Sequence, residues 1–301
     1  MDISIIFTSV IEFFATLFSC FGLLFSFGQA ADSALQPKNP GELITSFSIV
    51  SDTHIETNNS ENYNSFVGLI QGMKSAKTDT AVFLGDNTMN GNFMENHFFY
   101  NAVERVSPAE NILVAVGNHD VGNGDGGYDE LCEEFLNRNY RHFGNKISKP
   151  YYYKVIDGCY VIFLATEEST VHSCTVSEEQ LDWLKSVLTE AKETDAPILL
   201  FNHHPLYMIE GVDKSEVTEL LRECDNLIYI TGHTHISFDE YSFCTDYGIK
   251  SFYLPRSTGN GYPAGDGLIV EVYKESIILR ACNFIDGKWI EPLEYEIPLS
   301  Y

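Results

Sequence analysis

Five short apolar runs, each followed at once by a cluster of small and polar residues, constrain this chain more than any other feature. Phe47–Val50 runs into Ser51-Asp52-Thr53-His54, and Thr80–Leu84 into Gly85-Asp86-Asn87. Asn111–Val116 runs into Gly117-Asn118-His119-Asp120, and Pro197–Phe201 into Asn202-His203-His204-Pro205. Asn226–Ile230 leads to Gly232-His233-Thr234-His235. Asp52 and Asp86 lie 34 residues apart, Asp86 and Asn118 32, and His203 and His233 30. One strand-plus-helix unit takes about 30 residues. Each cluster therefore falls one structural repeat after the last, at the same end of a sheet, except that the longer gap from Asn118 to His203 fits an extra helix, a hairpin and another helix.

The intervening segments carry helical patterns. Helices are predicted over Asn62–Ala76, Met94–Val106, Tyr128–Tyr140 and Lys214–Glu223. Another opens at Ser177, with Gln180 as its capping-box partner, and runs to about Lys192. Strand–helix alternation of this kind builds right-handed crossovers and an α/β sheet. Asp157-Gly158 between two apolar runs signals a two-residue hairpin. Beyond residue 247 only strand-like runs remain, near 248–254, 267–273, 276–283 and 288–296. The expectation is one α/β domain with helices on its outer faces, closed by antiparallel C-terminal strands.

Residues 1–30 are set apart as a targeting segment. Between Ile3 and Phe27 the only charge is Glu12, and Phe13–Phe27 is apolar enough to enter a bilayer. Two readings stand: a signal peptide cleaved after Gly28-Gln29-Ala30, or an uncleaved anchor that tethers the chain to a membrane. Both imply an extracytoplasmic protein. Residues 31–45 read as a linker, and 46–301 as the domain. The net charge of −25 argues against a nucleic-acid partner, because such a surface repels phosphate backbones. Cys132, Cys159, Cys174, Cys224, Cys244 and Cys282 offer no C-x-x-C pair, so a thiolate zinc site is not indicated. Disulfides are allowed outside the cytoplasm, and their pairing is left open.

The loop residues suit a divalent metal. Asp52, Asp86 and the amide of Asn118 offer oxygens, and His54, His203, His233 and His235 offer imidazoles. Imidazole with carboxylate fits Mn, Fe or Zn better than Ca or Mg alone. Seven donors exceed what one transition ion takes, so two divalent transition-metal ions sharing a carboxylate is the economical reading. In open α/β sheets, ligands bind at the carboxyl ends of the strands, where these loops gather.

The ordered set D-x-H, G-D, G-N-H-D, H-x-P and G-H-x-H resembles the five blocks of the calcineurin-like metallophosphoesterases over roughly Phe47–Ile236. The resemblance implies two packed β-sheets flanked by helices, a four-layer α/β/β/α sandwich. It implies that Asp52, His54, Asp86 and His235 hold one ion, and Asp86, Asn118, His203 and His233 the other. It further implies hydrolysis of a small phosphorylated substrate by a hydroxide bridging the metals, with His119 helping the leaving oxygen. Asp120 is a candidate to orient His119, the alternative being an ordinary turn residue. Asn87 and His204 are candidate substrate contacts, and Tyr207, Arg256 and Tyr262 candidate rim residues. Two departures narrow the subclass. Met89 stands where purple acid phosphatases place a tyrosine ligand, and Asn87–Asn90 lacks the arginine of Ser/Thr protein phosphatases. What remains is closer to esterases acting on small diesters, including cyclic nucleotides, or on monoesters. A non-catalytic scaffold on the same fold is the competing reading, and the complete ligand set argues against it.

Overall fold

The computed structural model describes residues 35–211, 214–259 and 263–300. The N-terminal segment read as a signal or anchor, and Tyr262, lie outside the described residues. Among the described residues no helix is long and apolar enough to cross a membrane.

Two six-stranded sheets face each other. The first runs β14-β13-β12-β1-β2-β3, from β1 (Leu43–Val50), β2 (Thr80–Leu84), β3 (Asn111–Ala115), β12 (Asp266–Tyr273), β13 (Ser276–Asn283) and β14 (Lys288–Pro298). The second runs β10-β11-β9-β7-β5-β4, from β4 (Tyr152–Ile156), β5 (Cys159–Phe163), β7 (Ile198–Phe201), β9 (Leu227–Thr231), β10 (Phe243–Asp246) and β11 (Ile249–Tyr253). Strands β1, β2 and β3 are parallel, as are β5, β7, β9 and β11. Their carboxyl ends carry the five clusters. Short β6 (Cys174–Thr175) and β8 (Ile209–Glu210) form a separate parallel pair.

Strict alternation on fully buried strands creates the layers, because successive side chains point to opposite faces. Phe47, Ile49, Val82, Leu84 and Leu113 point inward, against Phe163, Phe201, Ile228 and Ile230 of the facing sheet. Val50, Ala81, Phe83 and Val114 point outward, onto α1 (Ser60–Ala76), α2 (Phe93–Val106) and α3 (Tyr128–Phe143). On the far side, Ile162, Leu200 and Tyr229 pack on α4 (Glu178–Lys192) and α5 (Lys214–Arg222). The expected α/β/β/α sandwich is the one observed.

The helices begin where their caps dictate. Asn59 accepts from the Asn62 N–H, and Asn92 from Met94 and Glu95. The capping box expected at α4 is only half formed. Ser177 accepts from the Gln180 N–H, but Gln180 turns away and exchanges two hydrogen bonds with the Ala165 backbone. The buried amide is worth more at the end of β5 than at an exposed cap. Asp157-Gly158 makes the hairpin turn as expected, both residues having positive φ.

The linker reading fails for residues 35–45. Leu35 is buried, and β1 starts at Leu43 rather than near Ser46. The Gln36 carbonyl accepts from Arg280, and the N–H groups of Lys38 and Asn39 bond Glu271 and the Tyr273 hydroxyl. Prolines and polar side chains mark this strap as a linker in sequence, whereas its backbone groups are satisfied by buried side chains of β12 and β13. All six cysteines among the described residues are free thiols.

Candidate metal centre

Each expected ligand sits two to four residues past a strand end, where the chain leaves the ladder and its side chains turn into the crevice between the sheets. The loops interlock through backbone bonds. The N–H of Asp52 donates to Gly85 O, that of His54 to Asp86 O, that of Gly232 to His203 O and that of Ser257 to Ser51 O.

Two ligand groups result. Asp52, His54, Asp86 and His235 form one, and Asp86, His203 and His233 the other, with donor atoms in each group within 4.8 Å of one another. Asp86 belongs to both. His235 Nε2 lies 2.9 Å from Asp52 Oδ1 and 3.0 Å from His54 Nε2. His203 Nε2 lies 3.1 Å from Asp86 Oδ2. Asn118 Oδ1 joins the second group, 3.0 Å from His233 Nδ1. All seven expected ligands are therefore brought together.

The donor set fits a pair of cations. His203 gives its Nδ1 proton to the Leu84 carbonyl, which leaves Nε2 buried and facing Asp86 without the alignment of a hydrogen bond. Asp52 and Asp86 are both buried carboxylates. Burial opposes their charge, yet His203 and the neighbouring imidazoles hold both below the ordinary carboxylate range. Burial by itself would lower the His203 pKa; the charges of Asp86 and Asp52 outweigh it and carry it up to about 10. Burial, with His203 beside it, lowers His233 to about 4. One imidazole thus takes a proton that two anions demand, while another stays neutral as a ligand must. A metal ion satisfies these carboxylates without that proton.

The backbone is bent to this purpose. Asp52, His54, Asp86, His233 and His235 all lie in the left-handed region, with φ between 40° and 67°. Such residues are uncommon and cluster at functional sites. Two glycines act by close approach. A Cβ on Gly117 would stand 2.2 Å from Asp86 Oδ1, and one on Gly232 2.6 Å from Asp52 Oδ2.

His119 lies at the edge of the two ligand groups. Its N–H donates to Asp86 Oδ1 at 2.9 Å, its Nδ1 contacts the Met89 carbonyl at 2.6 Å, and its Nε2 is 3.9 Å from Asp86 Oδ2. The ring meets His54 edge-on and is 17% exposed, open to an incoming molecule.

Three expectations need correction. Asp120 does not orient His119. Its carboxylate accepts from the N–H groups of Asn87, Thr88 and Gly117 and from the Thr88 hydroxyl, and so pins the loop after β2 to the loop after β3. Burial, with the charge of Asp86, raises its pKa to about 6. Asn87 does not face the crevice: it is buried, and its Nδ2 donates to Ala115 O and Asp120. His204 is fully buried behind the ligands, its ring 4.6 Å from that of His233, with neither nitrogen hydrogen-bonded. It packs beside the ligand rings of His203 and His233. Burial holds its pKa well below the ordinary histidine value.

Arg256 and Tyr207 fare differently. Arg256 rides on a loop whose Ser257 N–H and Thr258 hydroxyl donate to the carbonyls of Ser51 and Thr53. Its Nε donates to Thr258 O, and its charge acts with burial to lower the pKa of His54. It therefore lies beside the centre. Tyr207 is half-exposed on the turn Leu206–Met208, with Asp246 and Tyr247 as electrostatic neighbours. Sequence reasoning missed the Met89 carbonyl that orients His119, because a backbone acceptor leaves no mark in residue type. It also missed Glu95, buried and bonded to both amide groups of Asn90.

The chain belongs to the calcineurin-like phosphoesterase family, whose profile matches residues 45–237. A curated relative, described as a "probable cyclic nucleotide phosphodiesterase" of Rhodococcus erythropolis, is 27% identical over 172 residues. The match takes in 54% of this chain and 53% of the relative, so the chain spans about half the length of the curated protein it matches. A dimetal phosphatase of Danio rerio has a similar fold, with TM-score 0.61 and 15% identity, over 86% of this chain and 100% of that one. So has a purple acid phosphatase from seeds of yellow lupin, Lupinus luteus, with TM-score 0.59 and 14% identity, over 85% and 54%.

Proposed function

We propose that the protein hydrolyses a phosphate ester of a small molecule at a centre of two divalent transition-metal ions, Mn, Fe or Zn. The observation that carries this reading is the pair of ligand groups sharing Asp86, with His119 Nε2 at their rim. Asp52, His54, Asp86 and His235 would hold one ion, and Asp86, Asn118, His203 and His233 the other. When bound, such ions lower the pKa of water and polarise phosphoryl oxygens.

The chain's own residues do the rest. With Nδ1–H held by the Met89 carbonyl, a second proton on the His119 ring sits at Nε2. Nε2 can then give its proton to the departing alkoxide, as general acid. Arg256 supplies positive charge beside His54 in a chain of net charge −25, and suits a phosphoryl oxygen of the substrate. We favour a diester, cyclic nucleotides included, on the resemblance to the Rhodococcus protein and on the absence of the protein-phosphatase arginine from Asn87–Asn90.

The purified protein, freed of chelator, is assayed against bis(p-nitrophenyl) phosphate and p-nitrophenyl phosphate with Mn, Zn or EDTA added. EDTA-sensitive cleavage, faster on the diester, is expected. A folded, metal-loaded protein that cleaves neither ester would sink the proposal. An extracytoplasmic location, by a cleaved signal or an anchor within residues 1–30, is part of the same reading. Sequencing the N-terminus of the cell-derived protein tests it: a start near residue 31 marks cleavage, an intact one the anchor.

A further inference from the structure

The amide of Asn118 can serve a metal through one atom only. Its Oδ1 is an acceptor and its Nδ2 a double donor, and the two differ by a half-turn of the side chain. A flipped amide would present N–H groups to the cation and forfeit a ligand of the second group. In this structure the choice is made by Asn123. Its Oδ1 accepts from Asn118 Nδ2 at 2.7 Å, and its N–H donates to Asn118 O at 2.7 Å. The first bond requires that Nδ2, not Oδ1, point at Asn123. Asn118 Oδ1 is thereby turned to His233 Nδ1, 3.0 Å away.

The glycine-rich stretch 122–127 exists in a form that serves this contact. Asn123 has φ 44°, a left-handed conformation that asparagine tolerates better than most residues. Gly122 has φ 103°, and a Cβ there would strike Gly126 O at 2.2 Å. The curl is tied from outside by Ser169, whose hydroxyl accepts the N–H groups of Gly124 and Gly126 at 3.0 and 3.3 Å. A chain that turns back on itself within five residues of Asn118 can bring a side-chain acceptor to its amide.

We propose that Asn123 is a positioning residue for the second metal ion. It fixes the Asn118 amide with its oxygen toward the ligand group, and the Ser169-tethered glycine loop holds Asn123 in place. The inference rests on the dinuclear reading above.

The test is Mn(II) titration by calorimetry, with electron paramagnetic resonance to count coupled ion pairs. Asn123→Gly keeps the left-handed backbone and removes only the acceptor. It is expected to weaken the second ion by about 10–100-fold, the usual cost of losing a group that orients a ligand. The first ion should stay within about twofold, since its ligands make no contact with Asn123. Asn123→Asp retains an acceptor and is expected to bind both ions. Asn118→Asp offers a carboxylate with no orientation to set, so adding Asn123→Gly to it should change the second affinity by less than about twofold. Wild-type binding of both ions by Asn123→Gly would overturn the inference. So would an equal loss in the Asn118→Asp background, since the loop would then act through folding alone. A wild-type protein that takes up fewer than two ions would overturn the dinuclear reading, and this inference with it.

Discussion

One methyl group added at Gly117 tests the whole construction of the crevice. The Cβ of Gly117→Ala would stand 2.2 Å from Asp86 Oδ1 and 2.3 Å from the backbone nitrogen of Asp86. Non-bonded heavy atoms rest about 3.5 Å apart, so the overlap exceeds ~1 Å. The carboxylate could swing away, but the nitrogen cannot. It lies two residues past the end of β2, which pairs with β3 up to Leu84 and Ala115. Overpacking of this kind costs about 1–3 kcal/mol. Moving Oδ1 also breaks its bond from the His119 N–H, and a hydrogen bond to a charged group is worth about 1.5–3 kcal/mol. The two costs share atoms and do not simply add, so the expected loss is about 2–5 kcal/mol. At a urea slope of about 2 kcal/mol/M, the midpoint of the chelated protein should fall by about 1–2.5 M. Gly158→Ala is the control. That residue has φ 83° with nothing within 4 Å of the added atom, so it bears only the left-handed penalty of about 1–2 kcal/mol. Mn(II) affinity should collapse in Gly117→Ala and hold in Gly158→Ala. A Gly117→Ala protein as stable as wild type with unchanged metal affinity would refute the close-approach argument.

His119→Ala should retain both ions and lose about 10²–10⁴ in turnover, most for esters with poor leaving groups; loss of metal would mean that the ring is a ligand. Glu271 accepts from Arg280, from the Lys38 N–H and from the Tyr273 hydroxyl. Glu271→Ala strands the buried Arg280, 3.6 Å over the Trp289 ring, and should cost about 3–5 kcal/mol in urea without altering metal affinity. A loss under about 1 kcal/mol would show that the strap from Leu35 is loosely held. Native alkylation at pH 8 should mark Cys244 first among the cysteines of the described residues. Burial pushes the Cys159 and Cys174 thiols up to about 12, so these should react only as the protein unfolds. Early labelling of either, read by mass spectrometry, would contradict the packing around β5 and β6.

Much of this was legible in the sequence because two signals coincide. Repeat spacing marks where strands end, and ligand-type residues mark which ends converge. The same logic failed wherever partners are distant in sequence or backbone in kind. The β10–β11 hairpin turns on Tyr247-Gly248, both with positive φ, and tyrosine gives no turn signal where asparagine or aspartate would. Asn87 and His204 adjoin ligands and were expected at the substrate. Yet Asn87 spends its amide on Ala115 O and Asp120, and His204 packs its ring against that of His233, and neither partner is visible from a residue's place beside a ligand. Asp120 follows His119 directly, but its oxygens reach across 32 and 33 residues to Thr88 and Asn87 rather than to the adjacent ring.

The left-handed ligands show what the chain gives up for this site. Each of Asp52, His54, Asp86, His233 and His235 forgoes about 1–2 kcal/mol of backbone preference. Asp52 and Asp86 bear the further cost of burying like charges side by side. Neighbours over-determine both carboxylates. The Ser51 hydroxyl and the His233 N–H hold Asp52 Oδ2, and the His119 N–H holds Asp86 Oδ1. Each of these donors comes from a loop at a strand end, and two belong to the G-N-H-D and G-H-x-H clusters themselves. A block residue therefore has two tasks: its side chain faces the ligand groups while its N–H fixes an earlier block's carboxylate. That double use explains why the clusters must sit in register at one end of both sheets. It also implies that the local cost, offset by cations when they bind, is borne without them by the surrounding four layers.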